Sequence, residues 1–284
     1  MRLYPTCASC NLGSMAKLME IVEIKGEPWE VMRSLLKVAS QVPGDAKPVE
    51  LYKVLYDELM GGKVVDIYKE EKRQMNEAVL SIYSWLQSLV REAKNPVKRA
   101  IRLSIIGNII DLGVHGHRWG DLKEEVLKSL KMPLHYDERD AFIEMLESSK
   151  TLFIIGDNAG EVVFDRLLIE TIKEHYPHLE IKYGVRGEPL LNDITEEDAI
   201  HAGIDKRYIV NTGVDLPGFV PSRASEEGLK ALKEADIIIS KGQGNFEGLS
   251  ETPYNIFFAL RAKCAPVASE WKAPIGSLIF SRVR

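Results

Sequence analysis

The sequence predicts an α/β fold: a mostly parallel sheet with helices on both faces, preceded by an all-helical N-terminal part. Residues 1–150 repeat apolar side chains at helical spacing and contain no recognisable strand. From Thr151 onward, short apolar runs alternate with helical segments of about ten to fifteen residues, which is typical of βαβ units and a parallel sheet. We therefore expect a helical domain over 1–150 and an α/β domain over 151–284. They could also form one continuous fold, because no linker rich in Pro, Gly or Ser separates them.

The N-terminal part divides into successive helices. The segment 49–60 (VELYKVLYDELM) has helical periodicity and ends at a glycine pair, and a longer helical pattern extends from about Val64 to Arg91. Asn95-Pro96 marks a break and the start of the next helix, which covers 99–116 (RAIRLSIIGNIIDLGVHG). Two shorter helices are expected near 120–131 and 138–148.

The C-terminal part alternates strands with helices. The predicted strands are 151–157 (TLFIIGD), 179–185 (LEIKYGV), 207–213 (RYIVNTG), 236–240 (DIIIS) and 264–269 (CAPVAS). The predicted helices are 162–175 (VVFDRLLIETIKEH), 195–203 (TEEDAIHAG), 225–235 (SEEGLKALKEA) and 253–263 (PYNIFFALRAK). The last apolar run, 277–283 (SLIFSRV), is interpreted as an edge strand.

Composition excludes several classes of protein. The formal net charge of −5 and the pI near 5.8 argue against general nucleic-acid binding, which usually requires a basic surface. No apolar run approaches the ~18–20 residues that span a bilayer. The first residues, MRLYPTCASCN, lack the apolar core of a secretory signal. We therefore expect a cytoplasmic protein without membrane or nucleic-acid partners.

Polar residues follow four of the predicted strands, where ligands of open α/β sheets bind. They are Gly156, Asp157, Asn158, Gly160 and Glu161 after the first strand, Arg186, Gly187, Glu188, Asn192 and Asp193 after the second, Asn211, Thr212, Gly213 and Asp215 after the third, and Lys241, Gly242, Gln243, Gly244, Asn245 and Glu247 after the fourth. Carboxylate and amide oxygens suit Mg²⁺ or Mn²⁺, and a lysine in a glycine-rich turn at a helix start suits an anion. Together they indicate a site that handles phosphoryl groups.

Each turn also has a structural explanation. Asp157 or Asn158 alone is explained equally well as a cap of the following helix. Asp193 precedes a candidate capping box formed by Thr195 and Asp198. The segment KGQGNFEG lacks the GK[ST] of a P-loop and misses the GxGxxG spacing by one residue, so alone it is a weak signal. The argument for a site depends on several such turns falling at strand ends.

Two features of the N-terminal part raise further questions. Asn108 and Asp111 share a helix face within an apolar run, where unpartnered polar groups would be costly to bury, so we favour their reaching the cleft over a structural role. The nearby pair His115 and His117 is interpreted as a surface loop.

Cys7 and Cys10 form a CxxC pair, and Cys264 is the remaining thiol. The pair is a second metal site, a redox pair or two buried thiols.

These segments resemble a known family. GNIID (107–111), GDNAGE (156–161), LND followed by DA (191–199) and KGQGNFE (241–247) are similar, in order and spacing, to the signatures of the damage-control phosphatases, also called domain of unknown function 89. The CxxC pair resembles the subgroup common in archaea and bacteria. The resemblance implies metal-dependent hydrolysis of small phosphate monoesters, such as sugar phosphates or damaged phosphorylated metabolites and cofactors, with Mn²⁺, Mg²⁺, Co²⁺ or Ni²⁺ as cofactor.

The resemblance also implies roles for individual residues. The implied metal ligands are Asp157, Asn158 and Asp193, and the implied catalytic residues are Asp157, Asp193 and Lys241. The implied phosphate- and substrate-binding residues are Asn108, Asp111, Glu161, Arg186, Lys241, Gly242, Gly244 and Asn245. Arg186 departs from the family pattern, where we expect lysine, and its bidentate fork is expected to alter substrate choice.

Two questions stay open at the level of sequence. The nucleophile is either a metal-activated water, which we favour, or an aspartate that forms a phosphoenzyme. The alternative functions are an S-adenosylmethionine-dependent carboxyl methyltransferase and a non-catalytic protein that binds a sugar phosphate or nucleotide. The methyltransferase is disfavoured because the first strand is not followed by the glycine-rich turn expected of that class.

Overall fold

The structure is a computed structural model that describes residues 1–108 and 122–283. The helices in these ranges are α1 (Pro5–Met19), α2 (Pro28–Ala39), α3 (Pro48–Met60), α4 (Lys69–Leu80), α5 (Tyr83–Arg91), α6 (Pro96–Gly107), α7 (Leu122–Leu130), α8 (Arg139–Ser148), α9 (Glu161–His175), α10 (Glu196–His201), α11 (Glu226–Glu234), α12 (Gly242–Leu249) and α13 (Ala265–Glu270). The strands are β1 (Leu134–Asp137), β2 (Thr151–Ile155), β3 (Glu180–Val185), β4 (Ile209–Asn211), β5 (Ile237–Lys241), β6 (Ile256–Arg261) and β7 (Leu278–Ser281).

The strands form a seven-stranded sheet in the order β1-β7-β6-β5-β2-β3-β4. All neighbouring pairs are parallel except β6 and β7, which are antiparallel. The central strands are apolar and buried along nearly their whole length, as expected for parallel strands covered on both faces. The predicted fold class is therefore confirmed, including the helical N-terminal part.

Successive residues of β2 show that both faces are covered. Leu152 and Ile154 belong to one hydrophobic cluster, which also contains Leu103 of α6 and Phe164 of α9. Phe153 and Ile155 belong to a second cluster on the opposite face, together with residues of α11, α12 and α13. Helices α1 to α3 contribute most of a third cluster. Because the first cluster joins residues on both sides of position 150, the sheet and helix α6 share one core.

The expectation that residues 1–150 contain no strand is wrong at one point. The strand β1 lies before residue 150 and pairs in parallel with β7. Its four residues alternate between half-buried and exposed, which is too short a pattern to recognise in the sequence. Because β1 pairs with β7, β7 lies between β1 and β6 and is not the predicted edge strand.

Two predicted elements have the opposite type of secondary structure in the protein. Residues 253–263, predicted as a helix, contain strand β6, and residues 264–269, predicted as a strand, form most of helix α13. Short apolar runs such as IFFALR do not distinguish a buried helix from a buried strand. The proline at 266 lies in the first turn of α13, where it is tolerated, and was a usable signal for a helix start.

The remaining helices of the N-terminal part follow the prediction closely. The pattern from 64 to 91 forms two helices, α4 and α5, rather than one. Helix α6 begins at Pro96 with Asn95 as its cap, as predicted, and its described part ends at Gly107. The rest of the predicted helix over 99–116 falls outside the described residues. Among the helices of 1–108 and 122–283, none is both long and apolar enough to cross a membrane.

Candidate active site

The polar turns predicted to form a site meet at the carboxyl ends of β2, β3 and β5. Strand β2 lies between β5 and β3, and the chain continues outward to one side through β3 and β4 and to the other through β5 and β6. A reversal of this kind opens a crevice for ligands in α/β sheets. The third predicted turn, 211–215, follows the edge strand β4.

Two loops place Asp157 and Asp193 side by side. Asn158 and Asp193 form a short antiparallel bridge between the loops, and the Ile194 N–H donates to the Asp157 carbonyl at 3.0 Å. The two aspartates are 7% and 3% exposed. Asn158 donates its side-chain amide to Asp157 Oδ2 at 2.7 Å. The three residues expected to hold a metal are therefore brought together.

The capping explanation does not account for these residues. No side chain caps α9, the helix that follows Asp157 and Asn158. Asp193 is not the cap of α10 either, because Thr195 and Asp198 form that capping box themselves. The polar side chains after β2 and β3 therefore form hydrogen bonds within the site and do not cap a helix.

Arg186 supplies positive charge between the two aspartates. Its Nε donates to Asp193 Oδ2 at 2.6 Å, and its Nη2 lies 3.6 Å from Asp157 Oδ1. The side chain is 1% exposed. Neither Nη atom forms a hydrogen bond with the described residues. The outer fork of the guanidinium therefore keeps donors for an oxyanion.

Asn108 reaches the same cluster from the end of α6. Its Nδ2 donates to Asp157 Oδ2 at 3.1 Å and to Glu161 Oε2 at 2.9 Å. Its Oδ1 is buried and accepts no hydrogen bond from the described residues. The expectation that Asn108 points to the cleft agrees with this geometry. Asp111, His115 and His117 lie outside the described residues.

Lys241 is fully buried and engaged within the protein. Its Nζ lies 2.5 Å from Glu161 Oε1 and 2.5 Å from Asp165 Oδ1, and it donates to the Ser104 carbonyl at 3.0 Å. Burial lowers the pKa of Lys241, but Asp165 and Glu161 more than offset this and hold the pKa above its ordinary value. The ammonium group therefore already has three protein oxygens within contact distance, so contact with a phosphate would require one of them to be displaced.

The turn after β5 is the first turn of α12, and its glycines permit close approach. Gly242 has a φ of +74°, and a Cβ there would lie 1.8 Å from Asp157 Oδ2. A Cβ at Gly244 would lie 1.8 Å from the Pro217 carbonyl oxygen. Asn245 accepts from the Phe219 N–H at 2.7 Å, and its Nδ2 donates to carbonyl oxygens of Gly156 and Lys241. Its side chain therefore joins three loops around the site.

Burial raises the pKa of three carboxyl groups here. For Asp157 the largest cause is the loss of water, repulsion from Asp193 adds to it, and Arg186 offsets part of the rise. The pKa of Asp193 is raised by burial even though Arg186 acts against the change. The pKa of Glu161 is likewise raised by burial despite the neighbouring Lys241. Additional positive charge would therefore stabilise the ionised cluster.

The donor set fits a hard divalent cation in charge and in chemistry. The buried ionisable groups in contact are Asp157, Glu161, Asp165 and Asp193 with Arg186 and Lys241. Fully ionised, they leave two negative charges in excess. Within residues 1–108 and 122–283 no three His, Cys, Asp or Glu side chains are arranged as a metal site. The expected ligand set contains two acids and an amide, and the unpartnered Asn108 oxygen adds another hard donor.

Several residues of the cluster are not among those predicted from the sequence. The hydroxyls of Ser104 and Tyr183 donate to Asp165 at 2.7 and 2.9 Å. Asn76 of α4 accepts from the Gly160 N–H at 2.6 Å and so fixes the turn after β2. A signal existed for Asp165, which follows Glu161 by four residues with only Val162, Val163 and Phe164 between them, and hence shares its helix face. Ser104 and Tyr183 left no comparable signal.

The cysteine pair lies within electrostatic range of Cys264 and Glu247, since, besides burial, both of these and Cys10 contribute to the raised pKa of Cys7. Cys7 is buried and Cys10 is exposed, and neither forms a disulfide. Cys264 accepts a hydrogen bond from Gln243 Nε2 at 3.4 Å. Burial raises the pKa of Cys7 and of Cys264. A metal or redox role for Cys7 and Cys10 stays a prediction.

Comparisons with known proteins identify the family of the chain. The family model for the damage-control phosphatase ARMT1-like domain matches residues 3–279. A protein of Pyrococcus horikoshii named damage-control phosphatase PH1575 is 33% identical, over 99% of this chain and 98% of its own. A damage-control phosphatase of Archaeoglobus fulgidus is 34% identical, over 98% of each chain. The crystal structure of a DUF89 family protein from P. horikoshii superposes with a TM-score of 0.88 at 33% identity, covering 100% of both chains. The chain therefore belongs to the damage-control phosphatase ARMT1-like family.

Proposed function

We propose that the protein is a metal-dependent phosphatase that hydrolyses small phosphate monoesters, such as sugar phosphates or damaged phosphorylated metabolites. The observation that carries this proposal is the buried cluster at the centre of the sheet, which combines an excess of two negative charges with an arginine fork whose Nη atoms have no hydrogen-bond partner among the described residues. The names of the relatives support the same class of reaction.

The metal would be held by Asp157, Asn158 and Asp193. The Asn158 amide nitrogen already donates to Asp157, so its Oδ1 is the atom left for a cation. Asn108 Oδ1 is a further candidate ligand, because it is buried and accepts no hydrogen bond from the described residues. A bound divalent ion would act as a Lewis acid on a phosphoryl oxygen. Mn²⁺, Mg²⁺, Co²⁺ and Ni²⁺ are the candidates.

Arg186 is the side chain best placed to bind the phosphoryl group. Both of its Nη atoms are buried without hydrogen bonds to the described residues, whereas Lys241 Nζ already contacts Glu161, Asp165 and the Ser104 carbonyl. A guanidinium fork matches two phosphoryl oxygens and stabilises charge that develops on them in the transition state. We propose that Lys241 acts mainly by holding Glu161 and Asp165 in place and ionised.

A carboxylate near the phosphoryl group is needed to accept a proton from the attacking water. Glu161 fits this role in the proposal, because Asn108 links its Oε2 to Asp157 through two hydrogen bonds from one amide nitrogen. Asp157 is less suited to it, since its oxygens are committed to Asn108, Asn158 and the proposed metal. This favours water over an aspartate nucleophile.

The proposal is tested by phosphate release from a panel of small phosphate monoesters. The protein is stripped with EDTA, and Mg²⁺, Mn²⁺, Co²⁺ or Ni²⁺ is added back. Release is expected only with added metal, and Asp157→Asn is expected to abolish it, whereas Asp45→Asn, at an exposed position, retains it. Binding of the esters without turnover under every metal would overturn the phosphatase in favour of a binding protein. Methyl transfer from S-adenosylmethionine in the same preparation would favour the methyltransferase.

The cytoplasmic location and the domain division at residue 150 stay predictions. The proposed partner is a small phosphorylated metabolite, which is consistent with the small, buried and highly charged cluster. Nucleic acid is not a partner in this proposal, because the chain carries a formal net charge of −5.

A further inference from the structure

A cavity of about 780 Å³ lies at the other end of helix α6. It is bounded by the first turns of α6, the segment 130–134 that leads into β1, and the start of α8. None of the residues that form the cluster around Asp157 lines it. Arg102 in its wall and Asn108 in the catalytic cluster are six residues apart, which corresponds to about 9 Å along a helix.

The cavity is strongly basic in a chain that is acidic overall. Its charged lining residues are Lys94, Lys98, Arg99, Arg102 and Arg139, with Asp140 as the acid. Lys98 pairs with Asp140 at 2.6 Å, and Arg139 pairs with Asp137 at 2.6 Å. In the described part of the chain, Lys94 and Arg99 form no ion pair. The local excess of positive charge is therefore only partly balanced by the protein itself.

Arg102 is the unusual member of this group, because it is 6% exposed and forms no ion pair with an acid of the described residues, although the charge of the Asp137 carboxylate partly stabilises the guanidinium. Its Nη2 donates to the carbonyl oxygens of Ser129, at 3.0 Å, and Met132. Its Nη1 is buried and has no hydrogen-bond partner among the described residues. Burial lowers the pKa of Arg102 to about 10, and the positive charge of Arg139 acts in the same direction. A buried cation in this state is costly unless an anion accompanies it.

The N-terminus of α6 adds positive electrostatic potential to the same cavity. The helix has twelve residues, and its cap, Asn95, lines the cavity with Lys98 of the first turn. The positive end of the helix dipole therefore faces the cavity region, where it favours negative charge. The helix end and the buried Arg102 Nη1, which has no hydrogen-bond partner among the described residues, are independent observations, and both indicate an anionic ligand.

We propose that this cavity binds a small oxyanion of the phosphate class, with Arg102 at its base and Lys94 and Arg99 at its rim. A guanidinium that still has an unpartnered nitrogen suits the oxygens of a phosphoryl group. The volume suits a small molecule, and among residues 1–108 and 122–283 the lining contains no aromatic side chain for stacking with bases. The ligand is either inorganic phosphate or a small phosphate ester. The proposal is independent of the phosphatase reaction, because it uses none of the residues assigned to that reaction.

The test is calorimetric titration of the EDTA-treated full chain with inorganic phosphate, and separately with glycerol phosphate. In an Arg186→Met background, which removes the phosphoryl ligand proposed for the active site, binding is expected to persist. The variant Lys94→Ser/Arg99→Ser is expected to weaken it by about tenfold or more, because two rim cations are lost. The control variant Lys37→Ser/Lys233→Ser removes the same charge at exposed positions elsewhere and is expected to change nothing.

Two more variants test the roles of Arg102 and Asp140 in binding. Arg102→Leu is expected to abolish binding, and Asp140→Asn is expected to strengthen it, because it removes the acid from the lining. If Arg102→Leu fails to fold, the rim and Asp140 variants still decide the question. Binding of both probes assigns the phosphoryl group alone as ligand, and binding of the ester alone assigns an organic phosphate. No binding of either probe, or equal binding to the wild type and the Lys94→Ser/Arg99→Ser variant, would overturn the proposal.

Discussion

The Nε of Arg186 donates a 2.6 Å hydrogen bond to Asp193 Oδ2, and both side chains are buried. The same guanidinium lies 3.6 Å from Asp157. One cation thus holds together the two acids that we propose as metal ligands, while its Nη atoms have no hydrogen-bond partners among the described residues. From this arrangement we propose two separable roles for Arg186, in charge balance and in phosphoryl binding.

Replacing Arg186 should separate those roles. Arg186→Met removes positive charge beside two carboxylates, so we expect tighter Mn²⁺ binding together with a large loss of phosphatase activity, by about a hundredfold or more. Calorimetry with Mn²⁺ and steady-state kinetics measure the two effects. Arg186→Lys, which keeps the charge but loses the fork, should bind Mn²⁺ like the wild type and lose part of kcat/KM. Parallel loss of metal binding and activity in Arg186→Met would contradict this division.

Asp165→Asn tests whether the buried ion pair with Lys241 supports the fold. Removing one partner leaves a buried cation poorly compensated, so we expect the free energy of unfolding to fall by about 3 kcal/mol. The exposed pair of Arg33 and Glu30 provides the control, since Glu30→Gln should cost less than about 1 kcal/mol. Urea unfolding of both variants gives the comparison, and equal costs would show that the buried pair adds nothing.

Gly242→Ala tests the close approach of α12 to Asp157. The new Cβ would overlap Asp157 Oδ2, so we expect activity to fall by about a hundredfold from displacement of that side chain. Gly62→Ala is matched for backbone strain, because Gly62 has a φ of +71° and open space around it. Gly62→Ala should lose about 1–2 kcal/mol of stability and keep its activity. Comparable activity in the two variants would mean that the contact is not needed.

The carboxyl group of Glu247 predicts a pH dependence of stability. Burial raises its pKa from 4.5 to about 7. Between these values the folded state keeps a proton that the unfolded chain has released, so the free energy of unfolding decreases as the pH rises, and the full cost is present above pH 7. Glu247→Gln should therefore be more stable than the wild type at pH 8, by roughly 2–3 kcal/mol, and nearly equal to it at pH 4.5.

Thermal or urea unfolding across that pH range provides the measurement. Glutamine keeps an oxygen for the hydrogen bond from Gln243 Nε2, so the change isolates the charge. Glu226→Gln, at an exposed helix start, serves as the control and should show no comparable pH-dependent gain. A stability difference for Glu247→Gln that is constant with pH would contradict the assignment.

The sequence was informative where a buried strand ends in polar residues. Asp157, Asn158 and Asp193 were identified because acids and amides directly after apolar runs are unusual, and the parallel sheet brings such turns to one edge. Asn108 was identified because an amide in an apolar helix needs a partner. In both cases a local anomaly in the sequence corresponded to a contact in the fold.

Other features depend on contacts that no local pattern reveals. The partners of Lys241 come from α6 and α9, so the sequence alone predicted a phosphate contact and not a network of internal bonds. The exchange of β6 and α13 arose because five consecutive buried residues have no informative period. Strand β1 was missed because its only strand neighbour, β7, lies near the far end of the chain.

The pairing of β1 with β7 also bears on the order of events during synthesis. β1 leaves the ribosome before every other strand, and β7 leaves it after all of them. Until β7 arrives, the place between β1 and β6 is empty, and both neighbours expose unpaired backbone groups that invite association with other chains. The sheet is therefore completed only after nearly the whole chain has been made. A nascent or truncated chain that stops short of residue 278 should be especially prone to aggregate.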